Sequence, residues 1–370
     1  MQKLCVITGE ASGDIHGASL IKSLRKINPH LQILAAGGSE IRSLRPDIFI
    51  PMAHLNVIGF TSIFRLLPQL WKKMREIHQH IQAFKPEAVV FIDNPGFNLR
   101  LAKKLDVRAM RLYYYICPQV WAWNESRVHL MKKLFKKLFV IFDFEEDFYK
   151  ERGVCATFVG HPLLDHLDFS HYAASACSDS SFTILLMPGS RKNEIKYMLP
   201  EMLQAASHLS SINPHVRFKL VQAPTLGDEE YARFLRSYRF PIELVRDDRY
   251  SAIHSADLVW VCSGTATLEC LVMGAPMIIV NKTSAFNAWL IRRIIRVPFL
   301  GLPNLIAKNL IVPELHQEAF TAQSLVQITN TFLDNPNQLT LKRKELIQLR
   351  SRLGKPGASD ACAREILQDR

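Results

Sequence analysis

The residues of this 370-residue chain that could do chemistry lie in five short loops, four placed after an apolar run that reads as a β-strand and the fifth after the basic amphipathic segment 289–296. The first loop is Gly9-Glu10-Ala11-Ser12-Gly13-Asp14. Its glycines permit a tight turn and close approach of a ligand, and Ser12 and Asp14 suit caps for the helix that follows. The second is Asp93-Asn94-Pro95-Gly96, in which Asp93 is the first polar residue after the run 88–92. A carboxylate there can take a proton from a hydroxyl nucleophile, or it can simply cap a turn. The third, Pro188-Gly189-Ser190-Arg191, offers backbone N–H groups and a forked cation to a phosphate, though an ordinary helix start has the same look. The fourth, Ser263-Gly264-Thr265-Ala266-Thr267-Leu268-Glu269, places two hydroxyls and free N–H groups at a helix N-terminus, as a diphosphate requires. Glu269 follows Thr265 by one helical turn on the same face, where it could accept hydrogen bonds from the vicinal hydroxyls of a ribose. The fifth is Gly301-Leu302-Pro303-Asn304, in which Asn304 could read a phosphate or sugar or act only as a turn residue.

The elements that must position these loops follow from periodicity. Apolar runs at 4–8, 32–36, 88–92, 111–116, 138–142 and 157–159 alternate with helical patterns such as 15–27 and 63–84. After a looser stretch at 165–181 a second series begins, with runs at 182–187, 216–221, 242–245, 257–261 and 277–280. The tail from Thr321 reads as two or three helices. Alternating strands and helices predict α/β architecture with parallel sheets. Two such series predict two Rossmann-like domains facing a central cleft, and ligands then bind at the carboxyl ends of the strands. The expected division is 1–164 and 165–340, with helices at 341–370 completing the first domain.

Composition narrows the partners. The 46 Lys and Arg against 34 Asp and Glu leave a net charge of +12, so an anionic partner is expected. The first strand begins almost at once, with no export signal, and no run is long and apolar enough to span a bilayer. The seven cysteines include no C-x-x-C pair, and the 13 histidines no supported H-x-x-x-H pair, so reduced thiols and no metal are expected. The dinucleotide fingerprint is missing as well, because the first loop is not G-x-G-x-x-G and no acidic residue ends the second strand. The cations gather beside apolar residues at 65–75, 127–137 and 292–296, a pattern that suits an anionic bilayer surface or a core helix with a solvated face. A nucleic-acid-binding protein would account for the charge, but the chain carries no RRM, KH or helix-turn-helix signature.

Seven segments stand in a telling order: the first loop, Ile92-Asp93-Asn94-Pro95, Pro118-Gln119-Val120-Trp121-Ala122-Trp123, Gly160-His161-Pro162, Leu186-Met187-Pro188-Gly189-Ser190-Arg191, Ser263 to Glu269, and Leu302-Pro303-Asn304-Leu305. Together they resemble the bacterial lipid-A-disaccharide synthase family of GT-B glycosyltransferases, from about residue 4 to at least 305. The resemblance implies transfer of 2,3-diacylglucosamine from its UDP derivative to 2,3-diacylglucosamine 1-phosphate, with inversion to a β-1,6 linkage and no cofactor. It implies Asp93 as general base. It implies Ser190, Arg191, Ser263, Gly264, Thr265, Glu269 and Asn304 at the donor nucleotide, and a loop of Glu10, Ser12 and Gly13 facing the substrate. It further implies a cytoplasmic enzyme peripheral to the inner membrane of a Gram-negative bacterium, with homodimers in some members. Gly96 and Ser62 depart from the family pattern, where Asp and Glu are common. The rival readings are another GT-B enzyme of UDP-sugars, such as an epimerase or a muramyl-lipid glycosyltransferase, and a non-catalytic basic membrane- or nucleic-acid-binding protein.

Overall fold

The computed structural model describes residues 1–9, 11–52, 60–167, 181–224, 226–294 and 297–369. Glu10, most of the expected linker and Arg296 lie outside the described residues. The chain divides into two compact units, Met1–His166 with Leu353–Arg370, and Leu167–Arg352.

In the first unit the strands are β1 (Lys3–Thr8), β2 (Gln32–Gly37), β3 (Ile48–Pro51), β4 (Ala88–Ile92), β5 (Arg111–Tyr115), β6 (Lys137–Val140) and β7 (Ala156–Phe158). They form one parallel sheet in the order β3-β2-β1-β4-β5-β6-β7. The central strands are apolar without alternation because helices cover both faces, and every residue of β4 is buried. The order reverses direction between β1 and β4, so the loops after these two strands diverge and leave a crevice. β3 has no counterpart among the expected strands. It is a short edge strand ending in Pro51, which edge positions tolerate.

The second unit carries β8 (Phe182–Met187), β9 (Val216–Val221), β10 (Ile242–Val245), β11 (Leu258–Cys262), β12 (Met277–Asn281) and β13 (Glu314–His316). Its parallel sheet runs β10-β9-β8-β11-β12-β13, with the same reversal between β8 and β11. A core of Trp260, Phe218, Leu220, Ile278 and Phe320 fills one face, and the Trp260 indole N–H donates to Thr329 Oγ1 at 3.2 Å.

The chain rejoins the first unit at Leu353, not at the expected 341. The helix Pro336–Arg350 stays with the second unit because its cations tie it there. Arg343 donates to the Ala256 carbonyl and Arg350 to the Val272 carbonyl, each at 2.9 Å. Only the helix Ala358–Gln368 lies on the first unit, against the helix Ala11–Ile27. The Gly160-His161-Pro162 segment receives it. Gly160 has φ +89°, and a Cβ there would press on the Lys355 carbonyl. His161 N–H donates to the Leu353 carbonyl at 2.8 Å. Asp165 then caps the returning helix, accepting from Gly357 N–H at 2.6 Å.

Candidate active site

At the first unit's reversal point, Asp93 and Asn94 both adopt left-handed backbone conformations, with φ of +51° and +41°. Such a pair is strained in non-glycine residues and persists only where its surroundings impose it. Here the Asp93 carbonyl accepts from the Tyr114 hydroxyl at 2.6 Å and from Asn98 Nδ2 at 2.7 Å, while Asp93 N–H donates to the Tyr115 carbonyl at 3.2 Å. Asn94 caps the next helix, Pro95–Ala102, its side chain accepting from Phe97 N–H. The first loop closes over this turn. A Cβ on Gly9 would collide with the Asn94 side chain, and one on Gly13 would stand 3.8 Å from the Ile92 carbonyl. Glycine is therefore required at position 9 by Asn94, a residue far along the chain, and the two loops form one constellation.

Asp14 plays a different part from the one its position suggests. It does not cap its own helix. Its buried carboxylate accepts from Gly38 N–H at 2.7 Å and Glu40 N–H at 2.8 Å, anchoring the start of the helix Ser39–Ser43 beyond β2. Ser12 is exposed and Gly13 buried.

At the second unit's reversal point the loops after β8 and β11 meet. Burial pushes the Cys262 thiol at the end of β11 up to about 12, and this thiol feels the charges of both Glu194 and Arg191. Gly189 turns with φ +114°, and the helix Lys192–Ile212 begins after Arg191. The N–H groups offered by this turn are engaged from within. Glu194 accepts from Ser190 N–H at 2.8 Å and from Arg191 N–H at 3.2 Å, and its other oxygen pairs with the Arg191 guanidinium at 3.0 Å. Arg191 itself is widely exposed, at 79% of its side chain.

The loop after β11 is open by contrast. Gly264, with φ +140°, would meet nothing within 4 Å if it carried a Cβ, and Thr265 beside it is exposed. Ser263 is tied down, its hydroxyl donating to the Leu300 carbonyl at 3.0 Å. Thr267 Oγ1 bonds back to the Gly264 carbonyl at 2.7 Å. Glu269 is buried and held by Arg249 at 2.8 Å, with the Tyr250 hydroxyl 3.4 Å away. Burial raises the Glu269 carboxyl above its usual range, and Arg249 works against that rise. Arg249, the first residue of the short helix Arg249–Ser255 after β10, is not among the residues expected from sequence.

Asn304, expected at the nucleotide, is buried, with its side chain bonded inside the protein. Its Nδ2 donates to the Val312 carbonyl at 2.9 Å and to Glu314 at 2.7 Å, and its Oδ1 accepts from Ile311 and Val312 N–H groups at 2.8 and 3.0 Å. Two donors and two acceptor sites exhaust a carboxamide. Glu314 also binds Leu300 and Gly301 N–H groups, each at 3.0 Å, so Asn304 and Glu314 together fix the loop that holds Ser263. Burial opposes the Glu314 charge, but the hydrogen bonds from His316, Leu300, Asn304 and Gly301 prevail and lower its pKa.

A further acid stands near the end of β6. Glu145 is fully buried and accepts from the Trp121 indole at 2.9 Å and from Ile141 and Phe142 N–H groups, each at 3.2 Å. Burial raises its carboxyl to about 7 despite those donors. Trp121 belongs to the Pro118–Trp123 segment, so this acid explains what one of its tryptophans is for. Among the described residues no group of three or more His, Cys, Asp or Glu is placed to hold a metal ion.

Comparison with known proteins adds the chemistry's context. The family model described as lipid-A-disaccharide synthetase matches residues 4–367. The lipid-A-disaccharide synthase of Syntrophus aciditrophicus is 35% identical, covering 97% of this chain and 95% of that protein. Lipid-A-disaccharide synthase 1 of Legionella pneumophila is 34% identical, covering 95% and 93%. Among solved structures, a putative UDP-N-acetylglucosamine 2-epimerase from Listeria monocytogenes superposes with TM-score 0.67 at 14% identity, over 100% of this chain and 97% of that one. Acinetobacter baumannii MurG gives 0.61 at 13% identity, over 100% of both chains. These two share the fold.

Proposed function

The chain belongs to the lipid-A-disaccharide synthetase family, a family of UDP-sugar glycosyltransferases, and we propose how its residues divide the reaction. The donor is UDP-2,3-diacylglucosamine and the acceptor 2,3-diacylglucosamine 1-phosphate. Asp93 takes the proton from the acceptor 6-hydroxyl as that oxygen attacks the anomeric carbon. The bond from this carbon to the diphosphate breaks with inversion, giving the β-1,6-linked disaccharide 1-phosphate and UDP. Charge grows on the departing diphosphate, so stabilisation must be concentrated there. Arg191, the N–H groups around Gly264 and the Thr265 hydroxyl supply it, and Glu269 accepts from the ribose hydroxyls. Ser190 and Ser263 shape the two turns, and Asn304 acts from behind by fixing the loop around Leu300. The loop of Glu10, Ser12 and Gly13 borders the acceptor.

What most supports this reading is the strained Asp93–Asn94 turn, held in place by Tyr114, Asn98 and the Gly9 loop at a strand-order reversal. Strain of this kind, roughly 1–3 kcal/mol per residue, is retained where it aims a functional group. No described helix is long and apolar enough to cross a membrane. The reading also has a cytoplasmic enzyme held peripherally on the inner membrane that contains its lipid substrates, and a homodimer is part of it. Thin-layer chromatography with the two diacylated substrates tests the reaction. A disaccharide 1-phosphate separate from both substrates, and free UDP, are expected. Epimerised UDP-sugar with no disaccharide would overturn the reading in favour of the fold's other chemistry.

A further inference from the structure

The helix Ala285–Ile294 follows β12 and presents a face that the transfer reaction does not use. Phe286 is 68% exposed and Trp289 50%. Their rings stack at 6.2 Å with an interplanar angle of 23°. The Arg293 guanidinium lies 4.4 Å from the Trp289 ring centroid. The three residues are spaced i, i+3 and i+7, so they line one stripe. Ala288 is buried on the opposite side, which fixes this stripe outward. Arg292 beside it is exposed and paired with Glu318 at 2.7 Å.

A lone exposed aromatic residue is ordinary, but two stacked rings capped by a cation make a patch with its own chemistry. Each ring offers at most about 250 Å², so the patch falls well short of the ~800 Å² per partner of a stable protein interface. Indole rings with neighbouring guanidinium groups suit the boundary between acyl chains and head groups. The cations on the helix, within a chain of net charge +12, select an anionic boundary.

We propose that the Phe286–Trp289–Arg293 stripe is an interfacial anchor that enters the surface of an anionic bilayer, the rings at the acyl boundary and Arg293 at the phosphate level. The proposal rests on the reading that the substrates are membrane lipids, and it adds which part of the second unit meets them.

Sedimentation of the full-length protein with vesicles of phosphatidylethanolamine and phosphatidylglycerol tests it. Phe286→Ser with Trp289→Ser is expected to weaken vesicle binding roughly tenfold or more, and Arg293→Gln roughly fivefold, the latter only on vesicles containing phosphatidylglycerol. Brominated acyl chains should quench the parent's tryptophan emission, and much of that quenching should vanish in Trp289→Phe. Disaccharide formation from detergent-dispersed substrates should be unchanged in all three variants. Unaltered vesicle binding by the double variant, or undiminished quenching in Trp289→Phe, would overturn the anchor. So would lost activity in detergent, which would assign the stripe to an acyl chain of the substrate, or a changed oligomeric state, which would assign it to a second copy of the chain. An enzyme that makes disaccharide without binding vesicles refutes the anchor alone, whereas failure to make disaccharide refutes the reading beneath it.

Discussion

The two strand-order reversals are built alike and finished differently. In the first unit the crevice between β1 and β4 is packed tight: Gly9 is pressed against Asn94, and the Asp93 carbonyl is doubly bonded from Tyr114 and Asn98. In the second, between β8 and β11, Gly264 faces open space and Thr265 is exposed, while Glu194 occupies the N–H groups of the neighbouring turn. One turn holds the backbone of Asp93 by three hydrogen bonds. The other leaves Gly264 and Thr265 open and gives the Ser190 and Arg191 N–H groups to the Glu194 carboxylate. The difference teaches that parallel sheets supply the place, while the loop residues decide which chemistry happens there. In the proposed division of the reaction, a base needs rigidity, and a nucleotide site needs vacancy and donors.

Removing the carboxylate should break the contrast most severely. Asp93→Ala is expected to slow disaccharide formation by roughly 10²–10⁴-fold, the usual worth of a general base, as radiolabelled transfer would read. A rate within a few-fold of the parent would remove Asp93 from the reaction. Next in size is the packing that aims it. Gly9→Ala forces a Cβ into Asn94 and should cost about 1–3 kcal/mol of stability, seen as a lower urea midpoint, with a fall in kcat larger than any change in KM. An unshifted midpoint would mean the two loops are not rigidly coupled.

A smaller effect tests the second crevice. Glu194→Gln removes the carboxylate charge from the Ser190 and Arg191 donors and should tighten UDP binding by roughly threefold, since like charge repels the diphosphate there. Weaker binding by calorimetry would instead make Glu194 a support of the turn. The smallest effect lies outside both crevices. Burial raises the Glu145 carboxyl from 4.5 to about 7. The native state therefore keeps a proton that the unfolded chain has released, and this group's contribution to stability declines as pH rises from 4.5 through about 7. Glu145→Gln should gain melting temperature relative to the parent between about pH 5 and about pH 8, with little change in transfer rate. A constant difference across that range would place the raised titration elsewhere.

The division of labour is partly legible in sequence, and the reason differs residue by residue. Asp93 and the Ser263–Thr265 turn announce themselves because each is the first polar group after a continuous apolar run, which marks the carboxyl end of a buried strand. Asp14 has the same local look, yet it serves a helix 24 to 27 residues further on, and only the neighbouring strand makes that partner adjacent. Asn304 resembles a ligand-binding turn residue until the chain from Ile311 to Glu314 folds back around it. Arg249 is 20 residues before Glu269, at the start of a short helix in a run of charged residues where nothing local distinguishes it from its neighbours. Glu145 sits in the acidic run 143–147, and its burial beneath Trp121 is a property of the fold. β13 escapes notice because Glu314 and His316 flank a single apolar residue. Strand ends are written locally; which polar groups are spent inside the protein is decided by long-range packing.

In the proposed reaction, base and nucleotide site are separate functions carried by separate crevices. Isothermal titration of UDP into Asp93→Ala and Glu269→Ala, each checked for folding, tests it directly. A parental dissociation constant is expected for Asp93→Ala and one weakened about tenfold for Glu269→Ala, the equivalent of ~1.4 kcal/mol of lost ribose contacts. Loss of UDP binding in folded Asp93→Ala, or parental affinity in Glu269→Ala, would contradict it.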